Sequence, residues 1–139
     1  MKINKKGISP VIATVIIVAV AIAVAIAVAY WVTGIIPAFT RYEELKISST
    51  YIEDKDEATI VVRNSGSAAA TIDNVLVNGK LPSNGGWTAT QELLDPGDTA
   101  TITVLAVEYD VGTFESGVVY DFNIHTAAGG SYPASARAP

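Results

Sequence analysis

Side chains that could carry out acid–base or metal chemistry are few in this sequence. The chain has no cysteine and a single histidine, His125. Disulfides, thiolate zinc sites, iron–sulfur clusters and cysteine nucleophiles are therefore excluded. His125 has no carboxylate or serine at the spacing of a catalytic motif, and strand alternation places it on an outward face, so we interpret it as a surface residue. Phosphate-loop, nucleophile-elbow, zinc-protease and dinucleotide motifs are also missing. We expect no enzymatic activity and no cofactor.

The acidic run from Glu53 to Glu57, with the sequence EDKDE, is the strongest candidate for a metal site. Carboxylates bind calcium, but the run lacks the glycine and the distal glutamate of an EF-hand loop. Charged residues of this kind also form solvated hairpin turns, which is the interpretation we favour. We likewise assign Asp95 to Asp98 to a turn. We predict no metal site, and the net charge of −5 argues against nucleic acid as a partner.

The elements that carry these residues follow from the distribution of charge and apolar residues. Lys2, Lys5 and Lys6 lie within the first seven residues, and no charged residue follows until Arg41. Val15 to Val32 contains only Val, Ile, Ala, Tyr and Trp, over the 18 residues that a membrane-spanning helix requires. The lysines predict that the N-terminus stays in the cytoplasm, which places the rest of the chain outside.

Residues Val18 to Ala29 alternate a β-branched residue with alanine, a period that is typical of strands. We nevertheless predict a helix, because an isolated strand cannot satisfy its backbone hydrogen bonds in lipid. Ser9 is suited to be the N-cap and Pro10 the first helical residue. Gly34 and Pro37 are predicted to end the helix.

On a helix the alternation produces stripes of small residues that are separated by bulky ones. The alanines have the small-xxx-small spacing that lets helix backbones approach closely. We predict that they mediate helix packing, and they are Ala19, Ala21, Ala23, Ala25, Ala27 and Ala29. The alternative is a plain membrane anchor, since lipid accepts any apolar stripe.

The segment KKGISPVIATVIIVAVAIAVA closely resembles the class III signal peptide of archaeal type IV pilins. The resemblance implies that a prepilin peptidase cuts between Gly7 and Ile8, with Lys5 and Lys6 as the charged flank. Ile8 would then be the first residue of the mature chain. Cleavage would leave six basic and fourteen acidic residues.

Beyond Thr40 the sequence changes to short alternating runs separated by turn residues. The length of this part, about 100 residues, suits one β-sandwich. The predicted strands are Glu44 to Ile52, Ala58 to Asn64, Ala70 to Val77, Trp87 to Leu93, Thr99 to Val107 and Val118 to His125, with a possible edge strand around Ser131. The runs VRNSGSAAATIDNVLVNG and LDPGDTATITV resemble the immunoglobulin-like outer domains of archaeal pilins and flagellins. The predicted fold class is α+β, a long hydrophobic N-terminal helix followed by an immunoglobulin-like antiparallel β-sandwich.

Alternation also predicts which side chains face the core. The inward set is Ala58, Ile60, Val62, Ala100, Ile102, Val104, Val118, Tyr120, Phe122 and Ile124. Thr99, Thr101 and Thr103 are predicted to face outward, as are Asp121, Asn123 and His125. The phase breaks at Asp73-Asn74 and at Leu105 to Val107, which indicates bulges or a surface that is covered on both sides.

We expect three segments: a cleaved leader at 1–7, a hydrophobic helix at 8–41 and a β-sandwich at 42–139. The resemblance implies a structural subunit of an archaeal type IV pilus that serves surface adhesion. It implies assembly into a helical homopolymer, with the prepilin peptidase, an assembly ATPase and a membrane platform protein as partners. The subunit would cross the membrane once before assembly and lie in an extracellular filament afterwards. Two alternatives stay open, a membrane-anchored extracytoplasmic binding module and an archaeal flagellin.

Overall fold

The computed structural model describes residues 10–139, which divide into two compact units between Thr40 and Arg41. The first unit contains one α-helix, α1, Pro10–Thr40, with 31 residues. At 1.5 Å per residue the helix is about 46 Å long. The second unit is all β apart from one helical turn. The fold class is therefore α+β, as predicted. Pro10, the expected first helical residue, is helical, whereas the expected cap Ser9 lies outside the described residues.

The predicted end of the helix at Gly34 and Pro37 is wrong, because α1 continues to Thr40. Glycine and proline lower helix propensity by about 1 and 3 kcal/mol, but neither forbids a helix when the flanking residues favour one. The hydroxyls of Thr33 and Thr40 donate to the carbonyls of Tyr30 and Ile36, at 2.9 and 2.8 Å, so both threonines bond within the helix. The helix is thus one turn longer than the sequence signals indicate.

The second unit is built from eight strands in two antiparallel sheets. The strands are β1 Leu45–Ile52, β2 Glu57–Asn64, β3 Ala70–Val77, β4 Trp87–Ala89, β5 Leu93–Leu94, β6 Thr99–Leu105, β7 Val119–Thr126 and β8 Ser131–Arg137. The first sheet has the order β1-β2-β6-β4 and the second β5-β3-β7-β8. The expected edge strand around Ser131 is therefore present as β8. Because both sheets contribute to one cluster of buried side chains, the unit is a β-sandwich.

The burial of individual side chains confirms most of the predicted inward positions. The inward residues of β2 and β6 are at most 1% exposed, and Tyr120, Phe122 and Ile124 of β7 are at most 5% exposed. Val118 is an exception, because β7 begins one residue later and leaves this side chain 39% exposed. Thr59 is only 7% exposed although alternation places it on the outward face. The alternation therefore predicts the direction of a side chain better than its burial.

Two other predictions about strands need correction. The predicted strand from Trp87 to Leu93 is interrupted, so that β4 pairs with β6 in one sheet and β5 pairs with β3 in the other. The predicted strand from Thr99 to Val107 ends at Leu105 and is followed by a 3-10 helix, Ala106–Tyr109. The phase break at this point is a helical turn rather than a bulge. The break at Asp73-Asn74 does coincide with a register shift between β3 and β7.

Two buried polar side chains connect separate parts of the sandwich. Asn64, at the end of β2, donates through Nδ2 to the carbonyls of Ala68 and Leu94, at 2.8 and 2.9 Å, and its Oδ1 accepts from the Gly66 N–H at 2.9 Å. Tyr109 donates its hydroxyl to the carbonyl of Val75 at 2.7 Å. Since β2 and β5 belong to different sheets, Asn64 helps to hold the two sheets together.

Candidate functional site

The surface of α1 is the largest apolar surface that the structure leaves uncovered. Its bulky side chains are more than half exposed at most positions, from Val11 at 69% to Val28 at 53%. Over its most apolar 18 residues, none of the surface is buried within the described chain, and the helix is long and apolar enough to cross a membrane. Apolar area of this extent is unfavourable in water, so the helix requires lipid or protein around it.

All six alanines that are predicted to mediate packing are exposed on α1. Residues four apart are separated by about 6 Å along the axis, and each alanine stripe lies between rows of Val and Ile. One shallow depression of about 360 Å³ is lined by Thr14, Val15, Val18, Ala19 and Ile22. This geometry allows close approach of another helix, and the packing role of the alanines stays a prediction.

The four residues of the predicted cleavage site lie outside the described residues. They are Lys5, Lys6, Gly7 and Ile8. Their role therefore rests on the sequence alone.

The residues considered for acid–base or metal chemistry are dispersed over the sandwich. Across residues 10–139, no group of three or more His, Asp or Glu side chains could hold a metal ion. His125 pairs with Ser131 across β7 and β8, and Glu53 to Asp56 form an exposed turn. Burial raises the pKa of the Tyr109 hydroxyl well above its usual value, which keeps this donor protonated in the core. Tyr109 is thus suited to support the fold.

Residues 42–44 follow the helix and are bonded to two parts of the sandwich. The Ser67 N–H donates to the Tyr42 carbonyl at 3.0 Å. Glu43 accepts the hydroxyl of Thr126 through Oε2 at 2.7 Å and the hydroxyl of Tyr132 through its carbonyl at 3.2 Å. The sequence analysis missed the two contacts of Glu43, because they join residues more than 80 positions apart. These hydrogen bonds hold residues 42–44 to the rest of the sandwich.

The outward face of the first sheet holds a second feature that the sequence analysis missed. Lys46 of β1 and Arg63 of β2 are direct cross-strand partners and both are exposed. Alternation alone puts each on an outward face, but only the register shows that they are neighbours. The single ion pair in the described part of the chain lies elsewhere, between Lys80 Nζ and Asp110 Oδ2 at 3.3 Å.

Comparison with solved structures identifies proteins of similar fold. The archaellum periplasmic stator protein FlaG from Sulfolobus acidocaldarius is 22% identical, with a TM-score of 0.56 over 68% of this chain and 99% of its own. The complex of the archaellum periplasmic stator proteins FlaF and FlaG from the same organism gives 22% identity and a TM-score of 0.54, over 66% of this chain and 86% of that one. These likenesses show a shared fold.

A third structure covers more of the chain. The Iho670 flagellar-like filament matches 94% of this chain and 98% of its own at 14% identity, but its TM-score of 0.39 is too low to support a conclusion. No model of a known protein family matches the sequence, and no curated protein matches it.

Proposed function

We propose that this chain is a pilin, a structural subunit of an archaeal type IV pilus that serves adhesion to surfaces. The observation that carries the proposal is the uncovered surface of α1, which is apolar on all sides and followed by a separately folded sandwich. At about 46 Å, α1 exceeds the roughly 30 Å of a hydrocarbon core. In a filament, neighbouring helices would cover this surface over its whole length.

The proposed assembly begins with the chain in the membrane. A prepilin peptidase removes residues 1–7, an assembly ATPase and a membrane platform protein lift the subunit from the bilayer, and the helices pack through their alanine stripes. Apolar surface stays out of water in both states, so the transfer between them needs little hydrophobic free energy. The sandwiches form the outer layer of the filament.

A second candidate is a membrane-anchored stator subunit, which the likeness in fold to FlaG favours. In that function α1 would be surrounded by lipid, and the sandwich would act alone or with one partner outside the membrane. Copies of the chain would then stay in the membrane and form no filament.

Surface filaments from cells that express the full chain distinguish the two candidates. Filaments sheared from the cells should contain this chain as their main subunit, with Ile8 as its N-terminus by mass spectrometry. A Gly7→Phe variant should keep residues 1–7 and yield no filaments, because the peptidase needs a small residue before the cut. A matched Ile8→Val variant should be processed normally. Recovery of the chain only from the membrane fraction, in cells that make filaments from other subunits, would favour the stator function.

A further inference from the structure

The hairpin formed by β1 and β2 carries two neighbouring cations at one end. Lys46 and Arg63 lie directly opposite each other across the two strands, and both are exposed. Like charges in this position are unfavourable. Among the described residues neither cation has an ion-pair partner. The sandwich leaves these cations unpaired although residues 41–139 contain fourteen acidic residues and only six basic ones.

The other end of the same hairpin is acidic. The turn between β1 and β2, Glu53 to Asp56, is followed by Glu57 at the start of β2, so that segment 53–57 carries four carboxylates and one lysine. Its backbone is held in place, since the Ala106 N–H donates to the Asp56 carbonyl at 2.9 Å and the Phe114 N–H donates to the Lys55 carbonyl at 2.6 Å. Within the described chain the turn's carboxylates form no ion pair. The hairpin therefore presents fixed charges of opposite sign at its two ends.

The surface between the two ends is neutral. On the outward face of the first sheet, Thr99 lies opposite Arg63, and Thr101 and Thr103 lie opposite Val61 and Thr59. Arg63 lies six residue steps along β2 from Glu57, which places the two charged ends about 20 Å apart. A protein that contacts Lys46 and Arg63 would meet hydroxyl and β-branched side chains on β2 and β6, with the exposed Glu44 just before β1 and the exposed Asp98 just before β6.

We propose that Lys46 and Arg63 of one subunit bind the acidic turn 53–57 of a second copy of this chain. The proposal rests on the proposed function, because a contact between two different patches repeats head to tail and generates an open helical assembly when its rotation does not close into a ring. Charge complementarity favours a second copy of the chain as the partner, since the acidic turn carries a net charge of −3 and the basic pair a charge of +2. A polyanion such as nucleic acid would be repelled by the fourteen acidic residues of the domain.

Charge reversal in the full chain tests this contact. Lys46→Glu with Arg63→Glu should lower the yield of surface filaments by about tenfold, and Asp54→Lys with Asp56→Lys should do the same. A chain with all four substitutions should recover wild-type yield, because each contact then pairs reversed charges. Asp73→Lys with Asp121→Lys is the matched control for the Asp54→Lys, Asp56→Lys pair. It makes the same change in charge on the outward face of the second sheet and should leave the yield unchanged. A four-fold variant that assembles no better than its parents would overturn the proposal.

Introduced cysteines locate the contact directly, since the chain has none of its own. We would express Arg63→Cys and Asp54→Cys chains, separately and together, and oxidise intact cells mildly. Covalent dimers should form only when both variants are present, and a chain with both substitutions should give a ladder of oligomers. Dimers of the Arg63→Cys chain alone would show a symmetric contact and overturn the proposal.

The two measurements separate this inference from the proposed function. Filaments that form without any cross-link would overturn the contact and leave the pilin function intact, and would point to an anionic lipid or another partner at the basic pair. Cross-links in cells without filaments would support the contact and overturn the pilin function. If neither forms, both proposals are wrong.

Discussion

The helix and the sandwich differ in how much of their apolar surface is buried. The sandwich covers its own core, in which residues such as Ile60, Val75 and Ile102 are fully buried. In α1, Ile22 and Val24 are both 56% exposed, although the helix is the more apolar element. Within residues 10–139, no buried side-chain nitrogen or oxygen lacks a hydrogen-bond partner. The sandwich is therefore complete as a folded unit, whereas the helix depends on material outside the chain.

Because only the sandwich buries its own apolar surface, substitutions in the two regions should act on different properties. Changes in the sandwich should alter its free energy of unfolding whatever surrounds the helix. Changes on the surface of α1 should leave that free energy unchanged and alter assembly instead. Trp87, in β4, can report unfolding of the sandwich by fluorescence in a Trp31→Phe background, with the full chain in detergent.

The largest effect on the sandwich is expected at Asn64. Asn64→Ala should lower the free energy of unfolding by at least about 2 kcal/mol, because the carbonyls of Ala68 and Leu94 lose the Asn64 donor, at roughly 1 kcal/mol or more each, while the Gly66 N–H keeps the Glu44 carbonyl as its acceptor. Asn64→Asp should be more harmful, since a carboxylate cannot donate to carbonyls and carries charge into the core. Asn84→Ala, at an exposed turn, is the matched control and should change the free energy by less than about 0.5 kcal/mol. Equal effects at both sites would contradict this account of the core.

A glycine-to-alanine change should have opposite effects in the two regions. At Gly66 a Cβ atom would lie 2.5 Å from the Tyr42 carbonyl oxygen and 2.7 Å from the Glu44 nitrogen, so Gly66→Ala should destabilise the sandwich by about 1–3 kcal/mol. At Gly34 no atom lies within 4 Å of the added carbon, and Gly34→Ala should stabilise the helix by about 1 kcal/mol. Thermal unfolding followed by circular dichroism measures both. A stable Gly66→Ala sandwich would mean that residues 42–44 are held less tightly than their hydrogen bonds indicate.

Tyr109 adds a dependence on pH. Tyr109→Phe should cost about 1–1.5 kcal/mol near neutral pH, because the buried Val75 carbonyl loses its donor. The pKa of Tyr109 is raised by burial, so its contribution is fully present below the unfolded pKa of about 10 and is lost as the pH rises above that value. The advantage of the wild type over Tyr109→Phe should therefore shrink above pH 10. Tyr42→Phe, at an exposed tyrosine, is the control near neutral pH and should change the free energy of unfolding by less than about 0.5 kcal/mol.

The smallest effect is expected on the outward face of β6. Replacing Thr99, Thr101 and Thr103 together by valine should change the free energy of unfolding by about 0.5 kcal/mol or less per residue, since valine also favours strands. Filament stability in heat or detergent is the informative measurement. If it stays unchanged, these threonines serve strand propensity alone. Weaker filaments would show that the hydroxyls contact neighbouring subunits.

The sequence predicted different aspects of the sandwich and of the helix. Strict alternation predicted the inward residues of β2 and β6, because a period of two leaves a single register once one face is buried. It could not show that Asn64, at the head of a turn signal, is buried and bonded to β5, thirty residues away. Nor could it show that Lys46 and Arg63 are neighbours, since pairing depends on register. For α1 the apolar run predicted the helix, but the end signals at Gly34 and Pro37 precede its last residue, Thr40, because glycine and proline only weaken a helix.

The Ala23→Leu variant tests whether neighbouring helices cover the surface of α1 in a filament, as we propose. Leucine is compatible with lipid but too large for a closely packed stripe, so the variant should insert into the membrane at wild-type levels and lose about tenfold or more of its filaments. Ile22→Leu, the neighbouring position, keeps the side-chain volume and should assemble normally. Filament yield is measured by electron microscopy against the amount of chain in the membrane. Wild-type yield from Ala23→Leu would contradict the claim and leave α1 as a membrane anchor.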